Sequence, residues 1–181
     1  SLRSKDLSNQ FIILENKRLK KIIDDYLVQS NTIIAKVLSD KGSPFLKSVI
    51  INKGSKHNIN LGMIAMDGVY LVGKVVEVNY FSSRILLLSD LNSKIPVIVE
   101  PNEVFSILSG TGKDYGVIQY SKKYEDIKSE SVIYTSGAGN LFKAGMPIGK
   151  ININNLSEEK KVEFFSDFSQ LKFVKVLSFI K

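Results

Sequence analysis

From Thr32 onward no segment keeps a helical period. The chain is cut into short β-branched runs by glycine, asparagine and proline, and this punctuation limits what it can fold into. The runs are Thr32 to Leu38, Ser48 to Asn52, Met63 to Met66, Tyr70 to Asn79, Arg84 to Leu88, Ile95 to Glu100, Phe105 to Leu108, Gly116 to Tyr120, Ser131 to Tyr134, Pro147 to Ile153 and Phe173 to Ile180. Each has the length of a strand, the runs are closely spaced, and no second long helix is visible among them. A sandwich or barrel is therefore favoured over βαβ units. Glycines fall between these runs or at their ends, where small closed barrels need tight corners.

The first thirty residues obey a different rule. Leu7, Phe11, Leu14, Leu19, Ile22 and Tyr26 recur at steps of three to five, separated by Lys17, Arg18, Lys20, Lys21, Asp24 and Asp25. This is an amphipathic helix. Leu7, Phe11 and Leu14 fit d-a-d heptad positions, but Arg18 takes the next a site and the seam shifts to Leu19 and Ile22. One such helix cannot bury its own stripe. It either packs on its own domain or pairs with a second copy in a coiled coil that continues beyond Ser1. The polar start, Ser1 to Asp6, is not a signal peptide, and no run of 18 apolar residues is present.

Chemistry is hard to place on these residues. The chain has no cysteine and one histidine, so a disulfide framework or a Cys-based metal site is excluded, and the carboxylates show no ligand spacing. No cofactor is expected. His57 lies in the polar stretch Ser55-Lys56-His57-Asn58 and reads as a turn residue. Ser136 lacks the G-x-S-x-G frame of a nucleophile elbow. Gly110-Thr111-Gly112-Lys113 fails the phosphate-loop pattern, and Ser169-Gln170-Leu171-Lys172 matches S-x-x-K without its companion motifs. The net charge of +7 favours anionic partners, but the basic cluster on the helix has no aromatic interleaving, and nucleic-acid binding is not expected. The residues point to a non-enzyme. A degenerate protease-like barrel enzyme and a wall-polymer-binding module are the alternatives.

Several stretches, in order, resemble one family. Leu14-Glu15-Asn16-Lys17-Arg18-Leu19 is similar to L-E-N-x-x-L at the end of a membrane-proximal coiled coil. Ala35-Lys36-Val37 and Lys53-Gly54-Ser55 resemble the opening of its first β domain. Gly62-Met63, Leu71 to Val75, Ser83 to Asp90 and Ile95-Pro96-Val97 match its G-M, L-V-G-x-V, S-x-V-x-L-L-x-D and I-P-V segments. Thr135-Ser136-Gly137-Ala138-Gly139-Asn140-Leu141-Phe142-Lys143-Ala144-Gly145-Met146-Pro147-Ile148-Gly149 resembles T-S-G-x-G-G-x-F-P-x-G-x-P-I-G. These residues resemble the rod-shape-determining protein MreC family over about residues 14 to 177. Asn58, Asn140 and Glu130 stand where glycine is usual, and Lys143 replaces a proline.

The resemblance implies a mainly β fold: an N-terminal coiled-coil helix (1–30), a first small β-barrel-like domain (31–94) and a second (95–181), with the last strand able to return to the first. It also implies a periplasmic scaffold of the cell-wall elongation complex, anchored in the inner membrane by an upstream span. The implied partners are a second copy of the chain, MreD with the actin-like MreB, and a class B penicillin-binding protein that the scaffold activates. Self-association falls to Leu7, Phe11, Leu14, Leu19, Ile22 and Tyr26. Partner docking falls to Tyr134, Leu141 and Phe142 beside Tyr115 and Tyr120. For Phe142 the alternative is a plug at the open end of its own barrel.

Overall fold

The computed structural model describes residues 2–29, 31–38, 47–140, 142–153 and 159–178, of which 22–29, 31 and 140 are described by their backbone alone. The helix α1 (Leu2–Gln29) ends two positions before the first strand. Strands β1 (Asn31–Leu38), β2 (Ser48–Ile51), β3 (Ile64–Asp67), β4 (Tyr70–Val78) and β5 (Ser83–Leu87) follow. They close into a six-stranded antiparallel barrel only with the last strand, β12 (Phe173–Ser178), in the order β1-β12-β3-β4-β5-β2. The second barrel uses β6 (Lys94–Glu100), β7 (Val104–Gly110), β8 (Tyr115–Gln119), β9 (Val132–Thr135), β10 (Pro147–Ile153) and β11 (Lys160–Phe164), in the order β10-β11-β8-β7-β6-β9.

Period-2 alternation fills each barrel. Ala35, Ala65, Val72, Val75, Val174 and Val176 point into the first, around Ile51 and Ile85. On the same strands Ile64, Met66, Leu71 and Leu177 take the opposite parity, and they too are at most 1% exposed. They belong to the core that the second barrel builds from Val97, Val99, Leu108, Ile133, Ile148 and Ile151. One outer face of the first barrel is thus a wall of the second barrel's core, which is why Ile64-Ala65-Met66 of β3 and Val176-Leu177 of β12 are apolar on both faces.

The joint between the barrels is built around Asp90, 1% exposed. Its Oδ2 accepts from the Lys47 amide and its Oδ1 from the Asn92 amide, at 2.8 and 2.7 Å. Gly110 has no choice of side chain here, since a Cβ would lie 1.9 Å from the Asp90 carbonyl oxygen. On the returning chain Ser166 donates to Asp67 Oδ2 at 2.6 Å, and Phe165 packs on Tyr70 with ring centres 5.2 Å apart. Two crossings, each hydrogen-bonded and packed, fix the barrels to one another.

Strand β11 is absent from the sequence reading, for a visible reason. Its first inward position is Lys160, and its outward positions are Lys161 and Glu163, so the segment lacks an apolar alternation. Lys160 is only 8% exposed; its ammonium donates to the carbonyls of Tyr124 and Ile127 and sits 4.5 Å from the centre of the Tyr124 ring. A buried cation is tolerated there because two carbonyls and an aromatic face replace its water.

Two departures from the glycine pattern adopt the conformation that glycine would supply. Asn58 has φ 66° and Glu130 has φ 68°, both left-handed. Asn tolerates that region; Glu does so at a cost of about 1 kcal/mol or more.

Candidate functional site

Two features outside the barrel interiors can act on another molecule: the helix stripe and the surface of the second barrel. On α1, Leu7 is 65% exposed, Phe11 68%, Leu14 65% and Leu19 48%, with Ile12 and Ile13 also exposed. Among the described side chains of the stripe, Leu7, Phe11, Leu14 and Leu19 are not covered by the barrels. Its one ion pair among the described residues, Arg18 to Glu15 at 3.8 Å, is exposed and adds little. The side chains of Ile22 and Tyr26 lie outside the described residues.

The glycine-rich loop after β9 is held by Thr135, which is fully buried. Its hydroxyl donates to the Lys143 carbonyl at 2.5 Å and accepts from the Met146 amide at 3.0 Å; its backbone also exchanges hydrogen bonds with Met146 and Gly145. Gly137 turns with φ 73° against Ala144. This clamp carries Phe142 inward. The ring is 5% exposed and joins the second barrel's core, the burial that a plug would have and a docking anchor would not. Tyr134 is half-buried, and Leu141 lies outside the described residues.

His57 sits in a short turn (Ser55–His57) of the first barrel, where its Nδ1 accepts from the Gly54 amide at 3.2 Å. Ser136 follows β9 in the second barrel, where its hydroxyl accepts from the Ala138 amide at 3.3 Å. Both polar groups serve their own turns, and the fold does not bring them together as a dyad. Between the barrels a cleft of about 780 Å³ is lined by Lys47, Lys113, Tyr115, Lys161, Phe164 and Asp167, among others. Asp167 is occupied in capping its own turn: two hydrogen bonds from Ser169 hold its carboxyl below the usual range. Phe164 is stacked on Phe168 at 4.8 Å.

Residues that sequence reasoning did not single out carry much of the surface and the joint. Asp90 lay within a matched motif but without a role. Phe105 was one more apolar residue of a strand; only the barrel's closure turns it outward, to 66% exposure.

Two small six-stranded barrels, the second inserted into the first, carried on a helix with an exposed apolar stripe, define a class of two-barrel β protein. The family model for the barrel core of rod shape-determining protein MreC matches residues 37–178. The chain belongs to the MreC family. The cell shape-determining protein MreC of Cereibacter sphaeroides is 33% identical over 141 residues, covering 78% of this chain and 47% of that protein. The Escherichia coli protein of the same name is 29% identical over 148 residues, 81% of this chain and 40% of its own length. The chain thus spans less than half the length of these two relatives. Among solved structures, MreC from Pseudomonas aeruginosa superimposes with a TM-score of 0.74 at 26% identity, over 82% of this chain and 99% of that one. A complex between penicillin-binding protein PBP2 and MreC from Helicobacter pylori contains a chain of the same fold, with a TM-score of 0.62 at 15% identity, over 83% of this chain and all of that one.

Proposed function

We propose that the chain is the periplasmic part of a non-catalytic scaffold that maintains rod shape, anchored through a membrane span upstream of α1. It links and activates peptidoglycan synthases, with a class B penicillin-binding protein as direct partner and MreD and MreB as the inner-membrane and cytoplasmic connections. The observation that carries this reading is the exposed stripe of α1. Six or more large apolar side chains held away from their own barrels need a cover, and a parallel second copy supplies one when both helices rise from the same membrane. No described helix is itself long and apolar enough to cross a membrane.

Burial of Leu7, Phe11, Leu14 and Leu19 contributes about 1.5 to 3 kcal/mol per side chain, against the ordering of a short helix with Arg18 at the seam. A weak, concentration-dependent dimer is the expected result. Sedimentation of the full chain and of residues 31–181 over a wide concentration range tests it. The dimer should vanish without the helix while the barrels keep their melting temperature. A monomer at every concentration in both forms rejects helix-driven self-association.

A further inference from the structure

The cleft of about 780 Å³ between the barrels has the outer face of β8, β10 and β11 as its floor. The strand register assembles that floor. Asn152 stands opposite Lys161, and Glu163 opposite Tyr115, each at an outward position of its strand. Side chains then link along the diagonals: Asn152 donates to Glu163 at 2.5 Å, and the Lys161 ammonium sits 4.7 Å from the centre of the Tyr115 ring. The far wall comes from Lys47, Ser89 and Phe165, the last 37% exposed. The polar outer positions of β11, which hid that strand from sequence reading, thus form one side of a cavity.

Three observations describe what such a cavity takes. The first is that its cationic donors are free. Lys47, Lys113 and Lys161 line it, and none is in an ion pair among the described residues. The second is that its charge is balanced, because Asp114, Glu163 and Asp167 line the same space. Nucleic acid or another polyanion gains little from that balance, whereas a ligand rich in hydroxyls and bearing a few carboxylates uses both signs. Asp167 already accepts twice from Ser169, and Glu163 shares an oxygen with Asn152, so the lysines are the less committed half. The third is aromatic carbon between the charges: Tyr115 and Phe164 are half-buried, and Phe165 is exposed. The two crossings that fix the barrels to one another keep the cavity formed in advance, as ligand sites usually are.

We propose that the cleft binds a short stretch of wall glycan, an N-acetylated amino-sugar disaccharide carrying an acidic peptide stem. The inference rests on the reading that the chain faces the cell wall, and it adds a ligand to a protein otherwise read as contacting proteins alone. Tyr115 and Phe165 present carbon to the C–H faces of the sugar rings. Asn152, Glu163 and Asp114 bond the hydroxyl and N-acetyl groups, and the lysines take the carboxylates of the stem. The volume falls within the roughly 300 to 1,000 Å³ of small-ligand sites, which suits a disaccharide and the start of its stem.

Isothermal titration of the full chain with a soluble disaccharide-pentapeptide released from peptidoglycan tests this, with the bare disaccharide and the free peptide as separate titrants. The disaccharide-peptide should bind more tightly than either part. Tyr115→Leu, which keeps an apolar strand residue, and Lys161→Gln should each weaken binding about fivefold or more. Lys113→Gln, at an exposed turn position, should weaken it by a factor that shrinks as salt is raised. Phe105→Ala lies outside the cleft, on the face where Phe105 and Tyr120 are 66% and 76% exposed, and should bind as the wild type does. Thermal melts identify the folded variants, and Lys113→Gln decides the matter should Tyr115→Leu unfold. No binding of the disaccharide-peptide by the wild type, or equal binding by every folded variant, overturns the proposal; the scaffold reading, tested by sedimentation, is untouched by either result. Free peptide that binds as tightly as the disaccharide-peptide assigns the cleft to an acidic peptide and overturns the proposal as well.

Discussion

The two barrels have the same strand number and a similar core, yet they are closed in opposite ways. The first is sealed by the two ends of the described strand sequence: β1 pairs with β12 from Asn31↔Ser178 to Lys36↔Phe173. The second is completed within a continuous stretch, from Lys94 to Phe164, and sits as an insertion between β5 and β12. The first barrel therefore depends on contacts about 140 residues apart in sequence, whose loop-closure entropy must be met before they stabilise anything. The second combines hairpins with two medium-range pairings, β8 with β11 and β6 with β9, and borrows only its outer wall, Ile64, Met66, Leu71 and Leu177, from its neighbour. Closure in one barrel is long-range and in the other local, although their walls are shared.

Removing residues 171–181 tests that difference most severely. Without β12, β1 and β3 face a gap, and amide hydrogen exchange should lose protection throughout β2 and β5. Protection in β6, β7 and β10 should persist at reduced stability, because Leu177 leaves their core wall. Collapse of both barrels together would show that the shared wall outweighs local closure.

A smaller change separates the ways the barrels are plugged. Phe142→Ala empties a site in the second barrel that the Thr135 clamp holds rigid, and should destabilise the protein by about 3 to 4 kcal/mol in denaturant titration. A loss below about 1 kcal/mol would mean that the loop collapses into the space and that Phe142 is not the plug its burial indicates.

The smallest effect has the opposite sign and compares one turn from each barrel. Glu130→Gly in the second barrel removes left-handed strain and should stabilise by about 1 kcal/mol, less whatever the exposed Lys150 contact at 3.3 Å contributes. Asn58→Gly in the first barrel should change stability by only a few tenths of a kcal/mol, since Asn is at ease there. Equal gains from both thermal melts would mean that residue type does not set the cost of these turns.

The sequence by itself determined the helix, the mainly β character and most strands, because periodicity and β-branched composition are local properties that survive without knowledge of the fold. The ordered motifs from Leu14 to Gly149 were enough to point to the family. It failed at β11, where Lys160 occupies an inward position and its compensation, the carbonyls of Tyr124 and Ile127, lies more than thirty residues away. It also could not decide whether Phe142 faced inward, because a loop residue's direction depends on the hydroxyl of Thr135 several residues earlier. The apolar wall of Ile64, Met66, Leu71 and Leu177, the exposed pair Phe105 and Tyr120, and the joint at Asp90 were decided only by tertiary structure. Burial is a property of what the rest of the chain brings alongside, and identical apolar residues become core or surface according to which neighbour arrives.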